Sequence, residues 1–365
     1  MRHHLRPTIF IGGGTPSMLS LPQLERILRA AGAVVPLHAA EISLEANPGT
    51  LLGDAAHGTA TGQQPGSDPL AYFRGLRALG INRLSLGVQS LHEPALRLLG
   101  RIHTAAEARH CFDAARRAGF ASINLDVIFA LPRQNVAQWR AMLDQLIAWG
   151  ADHLSLYQLI LEQPTPLAAQ VAQGVVHLPD DESSATMYEA AMERLAAAGY
   201  THYEISNWAR DGAGQPAALP RHACHHNAAY WLNSDYMAAG AGAHGHCYPQ
   251  RYANLPTIEG YIAAVARGEH PRAEVLDLTP HDLQAETMFM GLRLSGGVSY
   301  AHFRERCHAE MEALYGATLD TLVHQGLVER GTIGVCLTPR GRMLGNQVFA
   351  HFVERHAEQA ESIAT

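Results

Sequence analysis

"LRALGINRLSLGVQS" (residues 76–90) holds the unit that this chain repeats. A helical stretch ends near Leu79, and Gly80 follows as the residue that turns left-handed past a helix end. An alternating strand begins three residues later at Arg83. The same joint recurs in "RAGFASINLD" (117–126), "AWGADHLSLY" (148–157) and "AAGYTHYEIS" (197–206). Short runs "TIFIGG", "EISLEAN", "RLSLGVQ", "SINLDVIF" and "HLSLYQLI" alternate with helical stretches, and "HYEISNW" (202–208) reads as a further strand. Such alternation predicts parallel strands joined by crossover helices. Helix starts agree with it: Ser20 with Gln23 and Thr104 with Glu107 have capping-box spacing, and Asp68-Pro69 reads as an N-cap followed by proline at the first helical position.

At 365 residues the chain has room for one large α/β domain and a smaller one. No apolar run approaches the ~18 residues of a membrane helix, and the basic start is not followed by a secretory core. A cytoplasmic protein without a membrane span is expected, with peripheral contact at a membrane surface left open. The formal charge of −7 comes with no basic block of the kind that follows a phosphate backbone, so nucleic acid is not an expected partner. The five cysteines, Cys111, Cys224, Cys247, Cys307 and Cys336, are scattered and include no CxxC. Neither a disulfide framework nor a self-contained thiolate metal site is expected.

Two stretches interrupt the repeat. "LLGDAAHGTATGQQPGSD" (51–68) has no periodicity and reads as a surface insertion. From Leu278 the alternation gives way to helices and then to "GLVERGTIGVCLTPRGR" (326–342), a two-stranded wing before a last helix. The helix ahead of the wing, "LDTLVHQG" (319–326), carries no lysine or arginine, which favours a structural or lid role over DNA reading.

Candidate chemistry lies at the late ends of the strands, where Glu45, Gln89, Asp126 and Tyr157 fall on successive units, because a parallel barrel builds its site at the C-terminal strand ends. "TIFIGGGTPSMLS" (8–20) adds three glycines directly after a strand. It lacks both the Gly-Lys-Ser/Thr ending of a phosphate loop and the spacing of a dinucleotide loop. Open backbone amides and carbonyls there suit the amino-acid end of a ligand, which needs acceptors for an ammonium and donors for a carboxylate. A second cluster, "RHACHHNAAYWLNSDYMAAGAGAHGHCY" (221–248), packs His222, Cys224, His225, His226, His244, His246 and Cys247 together. Zinc ligation, haem ligation and a loop of solvent-exposed histidines all fit it.

Taken in order, "IFIGGGTPS", "EISLEANPGT", "INRLSLGVQSL", "LLGRIH", "INLDVIFALP" and "CHHNAAYW…GAGAHG" resemble the HemW family of radical-SAM haem chaperones, which is related to oxygen-independent coproporphyrinogen III oxidase. The resemblance covers nearly the whole chain. It implies an α/β fold, a partial (β/α)6 barrel over 1–210 with an insertion at about 51–67, a connecting region over 211–277, and a small winged-helix-like domain over 278–365. It also implies S-adenosylmethionine contacts at Gly13, Gly14, Thr15, Glu45, Gln89, Arg101 and Asp126. The family's haem motif corresponds to His226, Asn227, Tyr230 and Trp231, with Cys224 or His225 as further candidates for the iron.

Haem delivery to an acceptor protein is the function implied, with radical-SAM oxidative decarboxylation in haem biosynthesis as the alternative. The family's [4Fe–4S] cluster is held by a CxxxCxxC loop one strand ahead of the glycine loop, where this chain has only Met1 to Pro7. The expectation is therefore a barrel lacking its first βα unit, through a misplaced start or a fragment, with no cluster ligands and no turnover. Ala130 stands where the family has glycine, a departure expected to cost little.

Overall fold

The computed structural model describes residues 5–52, 68–210 and 219–353. They form two compact units, one of residues 5–210 with 219–226 and the other of residues 227–353. The division falls between His226 and Asn227.

The first unit is built on a seven-stranded sheet in the order β1-β2-β3-β4-β5-β7-β6. Its strands are β1 (Thr8–Ile11), β2 (Glu41–Ala46), β3 (Arg83–Gln89), β4 (Ser122–Phe129), β5 (His153–Gln158), β6 (Tyr200–Glu204) and β7 (Asn207–Arg210). From β1 to β5 every neighbouring pair is parallel, as the repeated joint requires. Gly80, Gly119, Gly150 and Gly199, one at each joint, all take positive φ. The helix starts also follow the sequence. Thr104 N–H donates to Glu107 Oε2 at 2.7 Å while Glu107 N–H returns to Thr104 Oγ1 at 3.2 Å, and Asp68 accepts from Leu70 N–H at 3.0 Å. Caps of this kind contribute roughly 0.5–2 kcal/mol each.

Alternation splits each strand between two environments. Ile42, Leu44, Leu84, Leu86, Ile123, Leu125 and Leu154 are fully buried, in one apolar core with Phe73, Leu76 and Phe112 of the flanking helices Pro69–Ala78 and Ala105–Arg117. The intervening residues, Glu41, Ser43, Arg83, Ser85, Asn124, His153 and Ser155, are buried as well and are polar. By the period of two they lie on the other face of the sheet.

"HYEISNW" differs from its expected single strand. The chain reverses at Ile205-Ser206, and β7 inserts between β5 and β6, antiparallel to both. The cause is Glu204, whose carboxylate accepts from Ser206 N–H at 3.1 Å and from the Asn207 side-chain amide. A glutamate thus supplies the turn that glycine or asparagine usually marks. Leu51 belongs to the short helix Pro48–Leu52, and the rest of the expected insertion, 53–67, lies outside the described residues.

In the second unit the stretch expected to be a connection contains an antiparallel sheet ordered β10-β9-β8, from β8 (His244–Cys247), β9 (Gln250–Asn254) and β10 (Arg272–Asp277). Beyond it, helices Pro280–Gly291, Tyr300–Cys307 and Met311–His324 pack with a small sheet ordered β11-β13-β12. Its strands are β11 (Val298–Ser299), β12 (Val328–Arg330) and β13 (Gly334–Leu337), and the wing read in the sequence is the antiparallel β12–β13 pair. Phe303, Leu319, Leu322, Val348 and Phe352 form its core. No helix among the described residues is long and apolar enough to cross a membrane.

Candidate functional site

A cavity of about 510 Å³ opens at the C-terminal ends of β2 to β5. Gly14, Thr15, Glu45, Gln89, Arg101 and Asp126, all expected from the sequence, line it. Gly13 joins them through its N–H, which donates to Glu45 Oε2 at 3.1 Å. Gly13 and Gly14 take φ of 76° and 59°, and a Cβ on either would meet no atom within 4 Å. The loop therefore presents bare backbone to the cavity.

Gln89 owes its place to a register shift between Gly87 and Gln89 against β4, which turns its side chain into the cavity. A Cβ at Gly87 would lie 3.0 Å from Gln89 Nε2, so glycine two residues earlier leaves room for that amide. Arg101 Nε is buried and makes no hydrogen bond among the described residues, which leaves a cationic donor available to a ligand anion.

Glu45 and Asp126 both have raised pKa values. For Glu45 burial is the main cause; the Gly13 N–H opposes it, and the charge on Asp126 adds to it. For Asp126 burial again dominates, opposed by hydrogen bonds from Ser85 and Asn124. Two carboxylates withdrawn from water beside a cation and open amides can bind a zwitterion or neighbouring hydroxyls. Tyr157, Ile128, Leu159 and Ile160 give the cavity an apolar side. Ser85 lines the cavity too, and sequence reasoning missed it together with the polar face behind it. The signal was available as E-S-E, R-S-G-Q, N-D and H-S-Y at every second position of β2 to β5.

The histidine-rich stretch folds otherwise than as a metal cluster. Among the described residues no group of three or more His, Cys, Asp or Glu is placed to hold a metal ion. The helix His225–Trp231 carries the expected haem motif. Within the first unit, His226 Nδ1 lies 2.8 Å from Thr8 Oγ1, and its ring stacks on Phe10 with centroids 5.1 Å apart. Its backbone N–H donates to Glu41 Oε1 at 3.2 Å, and the buried Cys224 thiol lies 3.6 Å from the same oxygen. Burial lowers the pKa of both His225 and His226, which favours neutral rings.

Within the second unit, the Arg293 guanidinium sits 4.2 Å from the Trp231 ring centroid and Tyr230 meets Tyr236 edge-on at 4.6 Å. Asn227 stands on the same helix. His244 is exposed, and His246 is buried beside Arg251 and Arg306, its pKa driven down to about 4 chiefly by that burial.

Comparison with known proteins follows the same division. The radical SAM superfamily profile matches residues 1–146, and the HemN C-terminal domain profile matches residues 278–344. "Heme chaperone HemW" of Bacillus subtilis is 34% identical over 348 residues, covering 95% of this chain and 85% of the relative. The protein of the same name from Lactococcus lactis is 35% identical over 347 residues, covering 95% and 84%. Among solved structures, coproporphyrinogen III oxidase (HemN) of Escherichia coli superposes with a TM-score of 0.72 at 21% identity, over 94% of this chain and 77% of that one. That likeness fixes the fold as a radical-SAM partial barrel with an appended C-terminal domain. With a third of its residues shared along nearly its whole length, the chain belongs to the HemW family of the radical SAM superfamily.

Proposed function

We propose that this chain binds haem at the helix bearing His226 and passes it to acceptor proteins in the cytoplasm, on a scaffold whose strand-end cavity takes S-adenosylmethionine. The observation that carries the haem reading is the setting of His226 in a chain of this family. Thr8 Oγ1 on Nδ1 and the Phe10 ring fix the imidazole, and burial favours its neutral form. A neutral, oriented imidazole is the form that ligates iron. Asn227, Tyr230 and Trp231 complete the family's haem motif in the sequence.

The cavity suits S-adenosylmethionine by its donor set. Glu45 with the Gly13–Thr15 backbone would receive the ammonium, Arg101 the carboxylate, and Asp126 with Gln89 the ribose hydroxyls. When bound, this cofactor supplies a sulfonium whose bonds are open to cleavage. The residues of this chain orient it and hold its charged end away from water. They do not fit a [4Fe–4S] cluster, which needs three clustered thiolates. Cys111 and Cys307 are buried in separate units, and no two of the five cysteines are close in sequence.

The test is titration of the purified protein with haemin, followed by absorbance. A Soret band that saturates with the wild type and weakens at least about tenfold in apparent affinity in His226→Ala is expected. An unchanged His226→Ala titration, or a wild type with no haem-dependent band, would overturn the reading.

A further inference from the structure

Behind the cavity a line of buried polar groups runs across the inner face of the sheet to the residues before the His225–Trp231 helix. Its members all belong to the first unit. Asp126 Oδ2 accepts from Ser85 Oγ at 2.6 Å, and Asp126 Oδ1 accepts from Asn124 Nδ2 at 2.9 Å. Asn124 Nδ2 also donates to Ser85 Oγ at 2.7 Å. On the other side of the amide, Asn124 Oδ1 lies 2.7 Å from His153 Nδ1 and accepts from Ser155 Oγ at 3.1 Å. His153 Nε2 lies 2.8 Å from the Tyr203 hydroxyl, and that oxygen accepts from Cys224 N–H at 3.3 Å. Asn124 is 4% exposed and His153 1%, so water does not substitute for these partners.

The chemistry of the first member sets the direction of all the others. An ionised carboxylate only accepts, so with Asp126 charged the Asn124 edge that faces it is the NH₂. Its oxygen then faces His153, so Nδ1 carries the hydrogen and donates. Nε2 is left as the acceptor and must receive the Tyr203 O–H. Every hydrogen in the line therefore points toward Asp126, and His153 is the only member whose tautomer could reverse it. Burial reinforces this, since it holds the ring neutral, with Arg83 and His222 acting in the same direction.

We propose that His153 is a positioning residue for the cavity. By donating from Nδ1 to Asn124 Oδ1 it locks the amide with its NH₂ toward Asp126, and so sets the direction and the ionised state of the carboxylate that meets the ligand. The inference deepens the S-adenosylmethionine reading of the cavity and rests on it for the identity of the ligand only. Asp126 is also faced by Glu45 from β2, Arg83 from β3 and Tyr157 from β5, and shares the cavity with Arg101 from the loop after helix Glu93–Leu98; the line of donors acts in addition to them.

The experiment uses the whole chain labelled with [4-¹³C]aspartate, with the Asp126 carboxyl resonance identified by its loss in Asp126→Asn. In His153→Leu the Asn124 oxygen keeps only the longer bond from Ser155 Oγ, so the amide is held less firmly with its NH₂ toward the carboxylate. The Asp126 titration midpoint should rise. His153→Asn restores an N–H near the place of Nδ1–H and should return the midpoint toward wild type, which a purely space-filling role would not do. Tyr203→Phe, which deletes the donor to Nε2 and the acceptor of the Cys224 N–H but leaves the bond from His153 to Asn124, should raise the midpoint less, and serves if His153→Leu does not fold. Calorimetry with S-adenosylhomocysteine should show affinity reduced about tenfold in His153→Leu and within about threefold of wild type in His153→Asn. Unmoved midpoints in the folded variants, or a His153→Asn protein that behaves as His153→Leu, would overturn the positioning role. A wild type that titrates normally but binds no S-adenosylhomocysteine would instead overturn the ligand assignment and leave the positioning role to the resonance.

Discussion

Asn124 and Leu125 are neighbours on β4, both buried, and they answer to opposite demands. Leu125 belongs to the apolar face, where Leu84, Leu86, Ile123 and Val127 pack with the helices. Asn124 belongs to the polar face, where Asp126, Ser85, His153 and Ser155 all meet its amide. Apolar burial is non-directional and roughly proportional to area, so the first face stabilises the sheet without fixing the aim of any atom. Hydrogen bonds are directional, and leaving one unmade in a dry interior is costly, so the second face fixes where a carboxylate points. Stability and chemistry are thereby assigned to alternate residues of the same strands.

The largest effect that this contrast predicts is on the apolar side. Leu125→Ala should destabilise the first unit by about 2–5 kcal/mol, the range for a leucine emptied from a packed core. Chemical denaturation would read it. Below its own transition the variant should bind S-adenosylhomocysteine within about twofold of wild type, since the hydrogen-bonded face is untouched. A folded Leu125→Ala protein with tenfold weaker binding would break the separation of the two faces.

Glu45→Gln should do the reverse. Removing a charged acceptor from the ligand's ammonium should cost about 1.5–3 kcal/mol of binding, roughly 10- to 150-fold in affinity by calorimetry. Stability should not fall with it. Glu45 and Asp126 have raised pKa values, so in the window between their ordinary and raised values the folded state holds more protons than the unfolded one. Their ionisation therefore opposes folding. The penalty is absent below the ordinary carboxylate range, near pH ~4, and fully developed above the raised values. At pH 7 Glu45→Gln should melt at or above the wild-type temperature, and the difference should close as the pH falls toward ~4. A variant that melts lower at pH 7 would mean that the Gly13 N–H stabilises the folded carboxylate more than burial penalises it.

Much of this arrangement is legible in the sequence, and unevenly so. Strands β3, β4 and β5 were readable because a glycine past a helix end precedes each of them, and Glu45, Gln89 and Asp126 were readable because they fall late in successive strands. The polar face behind them was written in the same alternation, yet Ser85, Asn124 and His153 look like ordinary strand polars until the register sets Asn124 opposite both Ser85 and His153. The β6–β7 hairpin was hidden for a different reason. Its turn has no glycine or asparagine at its centre, and its hydrogen bonds come from the Glu204 side chain, whose role depends on the fold being formed. The density of histidines was a poor guide to a metal cluster, because among the described residues no three His, Cys, Asp or Glu side chains are placed to hold an ion.

The smallest effects contrast two backbone positions with positive φ, Gly13 at 76° and Ala130 at 54°. A left-handed conformation costs a residue with a Cβ roughly 1–2 kcal/mol, while replacing glycine by alanine recovers about 0.4–1 kcal/mol from the unfolded chain. At Gly13 a methyl group would touch nothing within 4 Å, so no burial offsets the strain and Gly13→Ala should lose about 1 kcal/mol. At Ala130 the strain is already present, but its methyl group is packed into the core at 4% exposure. Ala130→Gly would release about 1–2 kcal/mol of strain, return about 0.4–1 kcal/mol to unfolded-state entropy and forfeit about 0.8 kcal/mol of methyl burial. The terms nearly cancel, and a denaturation midpoint close to wild type is expected. A gain above ~1 kcal/mol in Ala130→Gly would show that the methyl group packs poorly. A Gly13→Ala protein as stable as wild type would show that the glycine loop relaxes freely, and a loop that relaxes freely cannot hold bare amides ready for a ligand.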